Sequence, residues 1–155
     1  MKKKKDNIFS KIINTALDYS SIFFFISLFV FITLQVILRY VFSNPLSWTE
    51  ELSRFSMIWL TYIGSIIAMR ENKHIAIDIL DKIHSDKLRK RISIVSKSFS
   101  LIFLLILFYY GVKKVVLSFN VRATVTEWPL GIVYLCIPIG ALGMILFLFF
   151  PKKES

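Results

Sequence analysis

Four long apolar runs, at residues 19–38, 48–68, 92–112 and 130–150, dictate what this chain can become. A helix needs about 20 mostly apolar residues to cross the roughly 30 Å hydrocarbon core of a bilayer, and each run has that length. No water is present in lipid to satisfy an open backbone group, so each run must close its own hydrogen bonds as a helix. The reading is an all-α membrane protein in which residues 1–155 form one four-span domain. The apolar share, 55% of 155 residues, matters less than its distribution into runs. A soluble domain spreads comparable apolar content along its length.

The charged residues fall where membrane topology puts them. The net charge is +10, but the basic residues gather at the ends of the runs instead of forming a stripe beside a soluble fold. That placement argues against nucleic acid as a partner. Lys2, Lys3, Lys4, Lys5 and Lys11 precede the first run. Arg70, Lys73, Lys82, Lys87, Arg89, Lys90 and Arg91 fill the central loop, and Lys152 and Lys153 follow the last run. Across the membrane stand only Arg39, Lys113, Lys114 and Arg122. The richer side is expected in the cytoplasm, which places both termini there and the chain in a bacterial inner membrane. The first run is too long for the core of a signal peptide, and no small-residue cleavage site follows it, so it reads as a retained span.

Two further segments have the pattern of helices lying on the membrane. Residues 8–17 put Ile8, Phe9, Ile12, Ile13 and Ala16 on one face behind a lysine cluster, which suits an anionic lipid surface. Residues 74–84 put Ala76, Ile79, Leu80 and Ile83 on one face. The alternation of Ile75, Ile77 and Ile79 also suits a strand. The single cysteine, Cys136, lies inside a run and reads as a small buried hydrophobe.

The densest polar constellation runs from Arg39 to Asp78. Asn44-Pro45 marks a turn between the first two spans. Either Ser47 or Thr49 is expected to cap the second helix, with Glu50 and Glu51 complementing its dipole. Glu50 and Arg54 are spaced to pair along the helix, and Arg39 lies at the same depth, within reach of Glu51. Such charges either anchor the helix at the interface or form a network that locks spans or docks a partner. Gly64, Ser65 and Ala68 offer a small-residue face for close helix contact, as do Gly131, Gly140 and Gly143 in the fourth span, where Pro138 is placed to add a kink. Trp48, Tyr110 and Trp128 sit at run ends, in the manner of an interfacial aromatic belt. Lys97, two turns into the third run, is placed to snorkel toward the basic side or to meet Asp18.

Nothing in the chain has the spacing of a catalytic or metal centre. His74 and Asp78 share a helical face, but the other histidine is His84 and no cysteine is near, so a structural hydrogen bond is the better reading. There is no HExxH, no nucleophile elbow and no phosphate-binding glycine loop, and no cofactor is expected.

Taken together, Pro45-Leu46-Ser47-Trp48-Thr49-Glu50-Glu51-Leu52-Ser53-Arg54, Trp59, Gly64, Arg70 and His74-Ile75-Ala76-Ile77-Asp78 resemble the small, DctQ-type membrane subunit of tripartite ATP-independent periplasmic (TRAP) transporters. The stretch from Trp128-Pro129-Leu130-Gly131-Ile132 to Pro138-Ile139-Gly140 is similar to that family's ending. The resemblance implies a non-enzymatic scaffold for a large elevator-type permease, which itself carries the substrate and ion sites. It also implies a periplasmic substrate-binding protein as a second partner, with membrane lipids around both. Uptake would be of an organic acid, driven by an ion gradient. Sialic acid and four-carbon dicarboxylates are both compatible.

The residues themselves agree with a supporting role. A self-contained carrier places polar or broken helices at the bilayer midplane, whereas these charges sit near span ends. A small dimeric exporter needs a titratable carboxylate deep in its first span, where this chain has only Gln35. A membrane enzyme needs a reactive grouping that is absent. An accessory or assembly subunit of some other membrane complex obeys the same physics and stays open as an alternative.

Overall fold

The computed structural model describes residues 8–43, 46–71 and 86–149. These fold into helices α1 (Ile8–Tyr40), α2 (Ser47–Arg70), α3 (Asp86–Ser118), α4 (Leu130–Tyr134) and α5 (Cys136–Phe149). Four segments are long and apolar enough to cross a membrane: Lys11–Tyr40, Ser47–Arg70, Arg91–Ser118 and Leu130–Phe149. The protein is therefore a multi-pass, all-α membrane protein. Among the described residues the only β pairing is one isolated antiparallel bridge, between Arg122 and Pro129.

Helix lengths explain the departures from the expected span limits. At 1.5 Å per residue, the 33 residues of α1 reach about 50 Å, well beyond the hydrocarbon core. Residues 8–17 are helical and run without a break into the first span. α3, also 33 residues long, starts six residues before residue 92 and continues past Lys113-Lys114 to Ser118. Charge does not stop a helix that has already nucleated, because each added residue still gains a backbone hydrogen bond. The expected surface segment 74–84 lies outside the described residues.

The fourth span is two helices. Leu135 keeps a right-handed conformation (φ −56°, ψ −26°) and donates its N–H to Gly131, yet it interrupts the regular ladder between α4 and α5. Pro138 supplies the cause. It has no N–H to give to Tyr134, four residues back, and its ring crowds that carbonyl. Cys136 sits at this break, buried, with its thiol donating to the Val133 carbonyl at 3.2 Å.

The chain divides into two compact units, Met1–Ile63 and Gly64–Ser155, with the boundary inside α2. Within the first unit, aromatic rings join α1 to α2. Phe24 stacks on Trp59 at 5.5 Å and 8°, and Phe31 meets Trp48 edge-on at 6.4 Å. Such pairs contribute about 0.5–1.5 kcal/mol each beyond area burial. Within the second unit, α3 packs along α4 and α5, and the close approaches rely on glycine. A Cβ at Gly131 would come within 2.9 Å of the Phe119 Cα, and one at Gly143 within 2.7 Å of Ile66 Cδ1. Backbone cannot yield as a side-chain tip can, so Gly131 is the stricter requirement.

The segment between α3 and α4 is an ordered hairpin. Ala123 N–H donates to the Trp128 carbonyl at 2.9 Å, and Leu130 N–H donates to Val121 at 2.9 Å. The Arg122 guanidinium closes the turn onto the Glu127 carbonyl at 3.1 Å, and Glu127 takes the left-handed conformation at φ 55°. Ala123 is buried beneath it.

Gly131→Ala should destabilise the purified chain by about 1–3 kcal/mol through overpacking. Gly64→Ala, where a Cβ would meet nothing within 4 Å, should be neutral or stabilising by up to about 1 kcal/mol. Thermal unfolding in detergent measures both, and equal melting temperatures for the two variants would contradict this packing.

Candidate functional site

α2 carries most of the candidate residues and divides them between two faces. Thr49, Ser53, Ser56, Ile63, Ile66, Met69 and Arg70 are buried. Glu50, Arg54, Met57, Thr61, Gly64, Ala68 and Glu71 are exposed. Spacings of three and four keep each set on one stripe of the helix.

The buried face is polar, yet it is satisfied from within. The Thr49 hydroxyl donates to Leu46 at 2.7 Å, Ser53 to Glu50 at 2.8 Å and Ser56 to Leu52 at 2.9 Å. On the exposed face Thr61 does the same to Met57 at 2.8 Å. A hydroxyl bonded to its own preceding turn can enter an apolar setting without an outside partner. The helix begins at Ser47, and the Thr49 hydroxyl donates back to the Leu46 carbonyl.

The charged candidates differ in setting. Arg54 pairs with Glu50 at 3.0 Å across one turn, with both side chains more than half exposed. Arg39, at the end of α1, holds its guanidinium 5.8 Å from the Tyr40 ring centre. Arg70 is the buried one: its side chain is 8% exposed, 3.6 Å from a Glu71 carboxylate that is 39% exposed. Its position in the last turn of α2 also complements the helix dipole. Glu51 is half-buried on the flank of the helix. Trp48 and Trp59 are committed to Phe31 and Phe24. His74 and Asp78 lie outside the described residues.

Two features had little signal in the sequence. Lys114 holds its ammonium 5.0 Å from the Tyr134 ring centre, a cation–π contact between α3 and α4. The hairpin presents Phe119, Val121, Val125 and Trp128, each about half exposed, at its surface. The exposed stripe of α2 was readable in principle, from the three-and-four spacing that begins at Glu50. Among the described residues, no cluster of three or more His, Cys, Asp or Glu side chains has the arrangement of a metal site.

Comparison with known proteins identifies the class. Residues 28–150 match the family of tripartite ATP-independent periplasmic transporters, DctQ component. The chain belongs to this family of TRAP transporter small permease subunits. It is 38% identical over 68 residues to a TRAP transporter small permease protein of Haemophilus influenzae, covering 44% of this chain and 42% of that one. It is 35% identical over 66 residues to the sialic acid TRAP transporter permease protein SiaT of the same species, covering 43% of this chain and 11% of that one. A second small permease protein of Haemophilus influenzae is 24% identical over 150 residues, 94% of this chain and 91% of its own length. The first two matches thus span less than half of each relative.

The exposed Glu50–Arg54 pair should contribute no more than about 0.5 kcal/mol. Arg54→Ala is therefore expected to leave the melting temperature in detergent almost unchanged. Arg70→Ala, which empties a buried polar position, should cost about 1–3 kcal/mol. The reverse order of effects would show that burial does not separate the two arginines.

Proposed function

We propose that this chain is a fixed scaffold for the large elevator-type permease of a TRAP transporter, and that it helps receive the periplasmic binding protein. Together these components take up an organic acid, driven by an ion gradient. The chain itself lies in the inner membrane with both termini in the cytoplasm. The observation that carries this reading is the exposed stripe of α2. Met57, Thr61, Gly64 and Ala68 sit at bilayer depth and are small, flexible or internally bonded. Helix association in lipid depends on close packing, which small residues permit, since lipid gives no hydrophobic drive. A Cβ at Gly64 would meet nothing within 4 Å among the described residues, which leaves room there for a partner.

Two further observations support the reading. The match to SiaT occupies only 11% of that longer permease, which fits a small segment working beside a larger one. The hairpin of residues 121–130 is ordered by its own hydrogen bonds and offers Trp128 and Val125 outward. A pre-ordered surface loses less entropy when a binding protein docks. The outer placement of this hairpin follows from the lysine and arginine bias.

Gly64→Leu should abolish co-purification with the large permease while leaving the isolated chain folded, and Gly64→Ala should weaken it less. Full recovery of the complex with Gly64→Leu would remove α2 from the interface. On the charged side, Arg39→Ala or Glu51→Ala should reduce uptake by the whole complex more than Lys113→Ala. Equal effects at the three positions would argue against a special role for the outer-side charges.

A further inference from the structure

The end of the second unit around the hairpin carries charge that its own fold leaves unmatched. Translocated segments of membrane proteins are depleted in lysine and arginine. Residues 113–128 nevertheless hold Lys113, Lys114 and Arg122 against one carboxylate, Glu127. The residues around the start of α2 are balanced instead, with Arg39 and Arg54 matched by Glu50 and Glu51. Among the described residues, none of Lys113, Lys114 and Arg122 pairs with a carboxylate. The dipole of α3 does not account for the two lysines, because its effect fades within the last turn and that turn has no basic residue.

We infer that Lys114 and Arg122 are held in place to receive carboxylates on the surface of the periplasmic binding protein. The inference rests on the reading that the hairpin faces the periplasm and takes part in docking. Each cation is positioned by a neutral partner. The Lys114 ammonium stands 5.0 Å from the Tyr134 ring centre, and Arg122 gives an N–H to the Glu127 carbonyl at 3.1 Å. Neither contact cancels the charge, and both residues are exposed. A guanidinium has several N–H donors in one plane, so that of Arg122 stays open to a carboxylate. Fixing both cations beforehand lowers the entropy lost on binding. Val121, Val125 and Trp128 of the same hairpin add an apolar centre beside these charges, the usual anatomy of a protein interface. Lipid headgroups are negative too, but the 28 residues Arg91–Ser118 already reach about 42 Å, the thickness of core and headgroup layers together. Arg122 lies beyond that length, on the far side of Ser118.

The chain and the large permease should be co-purified and placed in nanodiscs of phosphatidylcholine, and association of the acid-loaded binding protein followed by interferometry. The wild-type association rate is expected to fall at least about tenfold as salt rises from about 20 to about 500 mM, the lower end of electrostatic steering. Lys114→Glu combined with Arg122→Glu should remove that salt dependence and slow low-salt association by a similar factor. If the reversed pair fails to assemble, Lys114→Gln with Arg122→Gln tests the same point. Lys113→Glu, at a lysine without such a contact, should slow association less than Lys114→Glu. Trp128→Ala should hasten dissociation and leave the salt dependence intact. Salt-independent association by wild type, or equal slowing by Lys113→Glu and Lys114→Glu, would overturn the inference. So would an unchanged rate in the paired variants while Trp128→Ala still hastens dissociation, and the docking reading would then stand without it. Binding indifferent to Trp128, Lys114 and Arg122 alike would remove both. An effect of the paired variants seen only after phosphatidylglycerol is added would assign the cations to lipid instead.

Discussion

The absence of water in the bilayer core is the constraint on which the rest of this structure depends. Any polar group carried into that core must find its partner inside the protein. The hydroxyls of Thr49, Ser53, Ser56 and Thr61 meet this demand by donating to carbonyls three or four residues earlier in α2. The helix can then carry small polar side chains on both its buried and its exposed faces. Small side chains in turn allow close approach of backbones, which is what helix packing in lipid requires. A row of leucines would satisfy the bilayer too, but would hold neighbours farther away.

The second unit shows the same economy in its glycines and its loop. Gly131 admits the backbone of Phe119, and Gly143 admits Ile66. The loop between α3 and α4 satisfies itself with a pair of cross-hairpin hydrogen bonds and the Arg122–Glu127 contact. Lys114, a charge just where a span ends, rests on the ring of Tyr134. Arg39, Arg70 and Lys114 stand toward the ends of their helices, each beside a ring or a carboxylate, while the interiors of α1 and α5 are mostly aliphatic and aromatic.

The number of spans was legible because uncharged runs of this length have few other stable outcomes. The family was legible in the Pro45–Arg54 block with Trp59, Gly64 and Arg70, which the match over residues 28–150 bears out. Helix limits were less legible. The basic residues 86–91 have the composition of a loop, yet they continue α3, since composition reports solvent exposure and not where a helical ladder ends. The break at Leu135 had half a signal, because Pro138 announces a lost hydrogen bond but not which residue absorbs it. The hairpin had none. Glu127 adopts a left-handed φ that glycine or asparagine would have advertised. Near the start of α2 the Thr49 hydroxyl donates backward to Leu46, a bond that a threonine at a helix start makes as readily as it accepts one.

The proposed scaffold role, which gives this chain no pathway of its own, has one decisive signature. The purified chain would be placed in proteoliposomes with an inward sodium gradient and labelled organic acids outside. No accumulation above protein-free vesicles is expected, with uptake emerging only when the large permease and the binding protein are also supplied. Sustained gradient-driven uptake by the chain alone would contradict the scaffold role and require a route through its own helices.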